Sequence, residues 1–163
     1  MLQVKGRLGL DMEYEIVTDS AAETIEFGRE MGLQLTGGEV FAICGALGSG
    51  KTHLIKGIAA GAGAEHSEQV NSPTFVIVNE YEGREGLCIY HIDAYRLNSV
   101  AEFEMLGFDD FCHGGAVVLI EWADKVKSAL EGTGCVWVEL SHVGQSKRGI
   151  RIWNGPEYMK FGD

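Results

Sequence analysis

An uninterrupted apolar run, Val40 to Cys44 (VFAIC), leads directly into Gly45-Ala46-Leu47-Gly48-Ser49-Gly50-Lys51-Thr52. Such a run is the mark of a strand buried on both faces, as in a parallel sheet covered by helices on both sides. The octapeptide satisfies G-x-x-x-x-G-K-[ST], a loop whose backbone N–H groups cradle phosphate oxygens. Gly45, Gly48 and Gly50 leave room for that backbone to approach a ligand and to adopt positive φ. The pattern requires a helix starting at Lys51, whose N-terminus carries partial positive charge where phosphates sit. Gly45, Ala46, Leu47, Gly48, Ser49, Gly50, Lys51 and Thr52 are therefore candidate nucleotide-binding residues. Lys51 is placed for the β- and γ-phosphates, and the Thr52 hydroxyl for Mg²⁺.

The rest of the chain fits around this unit. Glu13 to Thr18 alternates as a strand. Asp19 and Ser20 both offer N-caps, with Glu23 placed for a capping box, for a helix reaching about Leu35 and closed by Gly37-Gly38. The helix from Lys51 ends near Ala62. Val76 to Tyr81 and Leu87 to Ile92 read as a hairpin. Ser99 caps a short helix ending at Gly107. Ala116 to Ile120 (AVVLI) is a second buried strand, Asp124 to Leu130 is helical, and Cys135–Leu140 and Ile150–Trp153 read as closing antiparallel strands. The expected class is α/β with a P-loop NTPase fold, a central mixed, mostly parallel sheet flanked by helices. The 163 residues suit one domain, assigned to 13–163. Residues 1–12 show no periodicity and precede Met12, so they are expected to form a flexible N-terminal extension, with Met1 and Met12 both candidate starts.

Composition narrows the partners. Thirteen Lys and Arg against 24 Asp and Glu give a net charge of −11. That sign opposes direct binding of nucleic acid, whose affinity comes largely from cationic contacts to phosphates, and opposes docking on an anionic membrane. No apolar run is long enough to span a bilayer. The four cysteines, Cys44, Cys88, Cys112 and Cys135, lack metal-ligand or disulfide-framework spacing and are expected to be reduced thiols of a cytoplasmic protein.

Mg²⁺ beside a phosphate loop needs a carboxylate at the end of a buried strand. Glu121 directly follows AVVLI and Asp93 directly follows LCIYHI, both at the carboxyl ends where open α/β sheets bind ligands. No N/T-K-x-D tetrapeptide, which reads guanine, occurs, so ATP or ADP is the expected nucleotide.

The blocks GALGSGKT (45–52), SPTF (72–75), HIDAYRL (91–97) and IEW (120–122), in this order, resemble the TsaE (YjeE) family of small bacterial P-loop ATPases. The resemblance extends over nearly the whole chain, from Glu13 to about Trp153. It departs from the family's usual loop at Ala46 and Ser49, where a backbone cradle tolerates the change, and after Trp122, where the usual Pro and acid are here Ala123 and the acidic Asp124. The resemblance implies an ATP-hydrolysing subunit of tRNA threonylcarbamoyladenosine (t6A) synthesis. It would act with TsaB-type and TsaD-type partners, which bind the tRNA, and hydrolysis would reset the complex. It further implies Lys51, Asp93 and Glu121 as catalytic residues, Thr52 and Glu121 as Mg²⁺ ligands, and Thr74 as a nucleotide contact in a switch-like segment. His91, Tyr95, Arg96 and Trp122 match motifs without an assigned role. No arginine finger is recognisable in cis, so slow intrinsic turnover is expected. Two other functions are compatible with the loop: a small-molecule kinase, which would be expected to carry an arginine-rich lid that this chain lacks, and a nucleotide sensor without hydrolysis.

Overall fold

In the computed structural model, residues 3–7, 13–64 and 77–161 are described. They contain a sheet of β1 (Gln3–Arg7), β2 (Glu13–Thr18), β3 (Val40–Gly45), β4 (Val78–Glu82), β5 (Cys88–Asp93), β6 (Ala116–Glu121), β7 (Val136–His142) and β8 (Arg148–Trp153). The order across the sheet is β1-β2-β8-β7-β3-β6-β5-β4. The central strands β7, β3, β6 and β5 run parallel, and both margins are antiparallel. The loop-bearing strand β3 therefore sits between β7 and β6. This centre delivers the carboxyl ends of β3, β5 and β6 to one edge, where a ligand can reach all three.

One expectation is corrected at the N-terminus. Gln3–Arg7, read as part of a flexible extension, forms β1 and pairs antiparallel with β2, from Gln3 opposite Val17 to Arg7 opposite Glu13. The ladder is made by backbone groups of a strand distant from the phosphate loop, and nothing in the pattern QVKGR announces it.

The sheet separates two apolar layers, as period-2 alternation dictates. Phe41, Ile43, Val117, Leu119 and Ile89 face α1 (Ala21–Leu33) and α2 (Lys51–Gly61), meeting Phe27, Met31, Leu54, Ile55 and Ile58. Val40, Ala42, Val118 and Ile120 face the opposite layer, which holds α3 (Val100–Met105), α4 (Phe108–Phe111) and α5 (Lys127–Leu130). The expected capping box is present: Ser20 Oγ accepts from Glu23 N at 3.1 Å, and Glu23 returns by accepting from Asp19 N at 2.7 Å. The short helix α4 was not legible in the sequence, and the segment read as helical from Asp124 begins with a 3₁₀ turn, Ala123–Val126, before α5.

α1 and α2 touch backbone to backbone. A Cβ on Gly28, Gly32, Gly57 or Gly61 would lie 2.4, 2.2, 2.0 or 2.1 Å from a carbonyl oxygen of the facing helix. Arg84 closes the far end of this pair. Its guanidinium donates to Gly61 O at 2.6 Å and Leu35 O at 2.7 Å, and to Gly32 O and Leu33 O at 3.2 and 3.3 Å. One planar cation thus satisfies carbonyls at the C-termini of both helices and complements both dipoles. Arg84→Met is expected to destabilise the fold by about 2 kcal/mol, the worth of a charged hydrogen-bond set partly open to water. Thermal unfolding would then fall by roughly 4–8 °C for a domain of this size.

Candidate functional site

β3 ends at Gly45 and the chain turns through a loop with Gly45, Gly48 and Gly50 all at positive φ, 147°, 74° and 102°. Gly50 is the N-cap of α2 and caps it with no side chain, which leaves the helix start open to an anion. A side chain at Gly45 would in addition collide with Leu140 O, 2.5 Å from the position of a Cβ.

Lys51 opens α2 and is only 4% exposed. Its ammonium donates to Gly45 O at 2.7 Å and Ala46 O at 2.9 Å, with Ser49 Oγ at 3.5 Å. The indole ring of Trp122 lies over it, 3.9 Å from nitrogen to ring centroid. Burial pulls the Lys51 pKa below its ordinary value, against the opposing pull of Glu121 and Asp124. Trp122 adopts the left-handed region at φ 58°, ψ 40°, a conformation that costs a side-chain-bearing residue roughly 1–3 kcal/mol. Strain of this kind at the end of β6 turns the ring across the loop lysine. The next ring outward is Tyr95, 4.9 Å away by centroids, with the Lys125 ammonium 4.8 Å from its centre.

The carboxyl ends of β5 and β6 supply the acids. Asp93 and Glu121 are register partners on these adjacent parallel strands and share a sheet face with His91 and Leu119. Glu121 is 2% exposed; its Oε1 accepts from Thr52 Oγ1 at 3.0 Å and its Oε2 lies 2.9 Å from His91 Nε2. Asp93, 5% exposed, accepts from Tyr95 N at 3.1 Å and pairs with Arg96 Nε at 3.4 Å. A hydroxyl and one carboxylate side by side are hard oxygen donors. They fit Mg²⁺, which keeps several waters and is usually shared with substrate phosphates rather than caged by protein. Among the described residues no group of three or more His, Cys, Asp and Glu side chains forms a metal-binding cluster.

Lys51, Thr52 and Glu121 line an open cleft of about 430 Å³, walled also by Leu47, Gly48, Gly50, His53 and Trp122; Asp93 and His91 lie behind Glu121 and not on the wall of the cleft. Its other wall is Ala21 and Thr24 at the start of α1, with Gln145, Ser146 and Arg148 of the β7–β8 hairpin. Arg148 Nη2 reaches Gly48 O at 3.4 Å. The fold brings Lys51, Thr52 and Glu121 together at the carboxyl edge of the sheet, with Asp93 beside Glu121 in register and Gly45–Gly50 in the loop before α2. Thr74, with the rest of SPTF, lies outside the described residues. His91, Trp122 and Arg148 had no role assigned from sequence. For His91 the signal was available, because it sits two residues before Asp93 and so on the same face of β5. For Arg148 there was none, since one hundred positions of chain separate it from Gly48. Cys44, at the end of β3, is pushed to a pKa of about 11 chiefly by burial, which leaves it an unreactive thiol.

Comparison with known proteins places this geometry in context. Residues 18–150 match the family model described as "Threonylcarbamoyl adenosine biosynthesis protein TsaE". The chain is 40% identical over 114 residues to the tRNA threonylcarbamoyladenosine biosynthesis protein TsaE of Treponema pallidum, covering 70% of this chain and 82% of that protein. It is 31% identical over 144 residues to the protein of the same name from Aquifex aeolicus, covering 88% and 98%. The fold superposes on the crystal structure of Bacillus subtilis YdiB with a TM-score of 0.69 and 27% identity, covering 96% of this chain and 90% of that one.

Proposed function

The chain belongs to the TsaE family, whose members are named for threonylcarbamoyladenosine biosynthesis on tRNA, and from that premise we propose that it is a Mg²⁺-dependent ATPase serving that modification. The observation that carries the proposal is the Thr52–Glu121 hydrogen bond of 3.0 Å beside the buried Lys51, at the open N-terminus of α2. In this reading the backbone N–H groups of 45–52 bind the phosphates of ATP, and Lys51 exchanges its loop carbonyls for β- and γ-phosphate oxygens. Thr52 and Glu121 hold Mg²⁺, which when bound neutralises charge on those oxygens. Asp93, beside Glu121, orients the attacking water and draws on its proton. The water oxygen bonds to the γ-phosphorus as the bond to the β–γ bridging oxygen breaks, giving ADP and phosphate.

The net charge of −11 supports a division of labour in which TsaD-type and TsaB-type partners hold the tRNA, in the cytoplasm, while this subunit resets the complex by hydrolysis. The test is steady-state ATP hydrolysis by the protein alone and with purified TsaB and TsaD partners, with Glu121→Gln as the inactive control. A low basal rate raised at least tenfold by the partners, and lost in the variant, is the expected result. Turnover indifferent to the partners would detach the phosphate site from tRNA modification.

A further inference from the structure

His91 is a buried polar side chain beside the site with no part in the chemistry above. It is fully buried on β5, on the sheet face shared with Ile89 and Asp93, where the neighbouring strand presents Val117, Leu119 and Glu121. Its Nε2 is 2.9 Å from Glu121 Oε2. With a carboxylate as the partner, Nε2 is the nitrogen that carries the proton. Nδ1 is buried and has no hydrogen-bond partner among the described residues. A side chain chosen for packing in this layer would carry no stranded nitrogen. What the imidazole adds is one N–H aimed at one oxygen of Glu121.

We infer that His91 is a positioning residue for the metal-side carboxylate: by holding Glu121 Oε2, it fixes the carboxyl plane so that Oε1 stays at the Thr52 hydroxyl. A glutamate at a strand end has three rotatable side-chain torsions, and a carboxylate free to turn would present its oxygens to Thr52 only part of the time. Hydrogen bonds behind a metal-binding carboxylate set its orientation, and their loss typically lowers metal affinity by ten- to a hundredfold. The inference rests on the Mg²⁺–nucleotide reading of the cleft and adds a named residue to it.

The experiment measures ADP affinity by calorimetry in EDTA and in saturating Mg²⁺, for the wild type, His91→Leu and His91→Gln. The ratio of the two affinities is the energetic coupling between metal and nucleotide, and needs no turnover. Expected is a Mg²⁺-dependent gain in the wild type that falls about tenfold in His91→Leu, while affinity in EDTA stays within twofold. His91→Gln, whose side-chain amide restores an N–H near the Nε2 position, is expected to recover most of the gain. If His91→Leu does not fold, His91→Asn, with an amide too short to reach Glu121, takes its place. An undiminished gain in the leucine variant would overturn the inference, and so would an equal loss in EDTA, which marks a general structural role. Failure of glutamine to restore what leucine removes would overturn it as well. A wild type with no Mg²⁺-dependent gain would overturn the functional reading itself, and the inference with it, which separates the two failures.

Discussion

Lys51→Ala is expected to weaken ATP binding at least tenfold and to reduce hydrolysis to background, while leaving a folded protein. The lysine is nearly buried, its ammonium already desolvated and gripped by Gly45 O and Ala46 O with the Trp122 ring across it. A cation held this way needs little further desolvation to meet a phosphate. A charge-assisted hydrogen bond is worth about 1.5–3 kcal/mol, or roughly ten- to a hundredfold in affinity. Alanine also releases the loop carbonyls and the indole, so the cradle loses its internal brace together with its charge. Calorimetric titration with ATP and thermal unfolding of the same samples separate the two contributions. Binding within threefold of wild type would remove the phosphate assignment of the loop.

Gly57→Ala is expected to destabilise the fold by about 3 kcal/mol, the upper end of the usual cost of overpacking, because backbone must be forced apart. The added Cβ would lie 2.0 Å from Ile25 O and 2.9 Å from Gly28 Cα, both backbone atoms that no side-chain rotation can move. The helices would have to separate, and opening that seam also loosens Phe27, Leu54, Ile55 and Ile58 in the layer beneath. Because α2 carries Lys51 and Thr52 in its first turn, a shifted helix displaces the phosphate loop, so nucleotide affinity should fall with stability. Gly155→Ala is the control, since a Cβ there meets no atom within 4 Å. Urea unfolding of both variants checks the prediction. A Gly57→Ala protein as stable as the control would mean that the α1–α2 contact is looser than its geometry implies.

Much of the site was legible before any coordinates. The run VFAIC with GALGSGKT dictated a buried strand, a glycine loop and a helix, because few other local structures reconcile those residue types in that order. AVVLI followed by Glu121, and LCIYHI followed by Asp93, announced acids at strand ends, and β5 and β6 set them in register. The capping box at Ser20 and Glu23 fixed the start of α1. Each of these signals acts over a few residues, within the reach of backbone periodicity and side-chain capping.

What only the tertiary structure decided involves partners far apart in the chain. The pairing of β1 with β2, the guanidinium of Arg84 across two helix ends, the approach of Arg148 to Gly48 and the stacking of Trp122 over Lys51 have no local pattern. Each depends on the strand order β1-β2-β8-β7-β3-β6-β5-β4, set by which buried faces and backbone ladders satisfy one another across the whole sheet. Thus the sequence by itself determined the strand–loop–helix unit and the acids at the ends of the neighbouring strands. The fold decided which neighbours hold them, because hydrogen bonds and ring contacts are fixed by proximity in space, and one strand pattern is compatible with many neighbours.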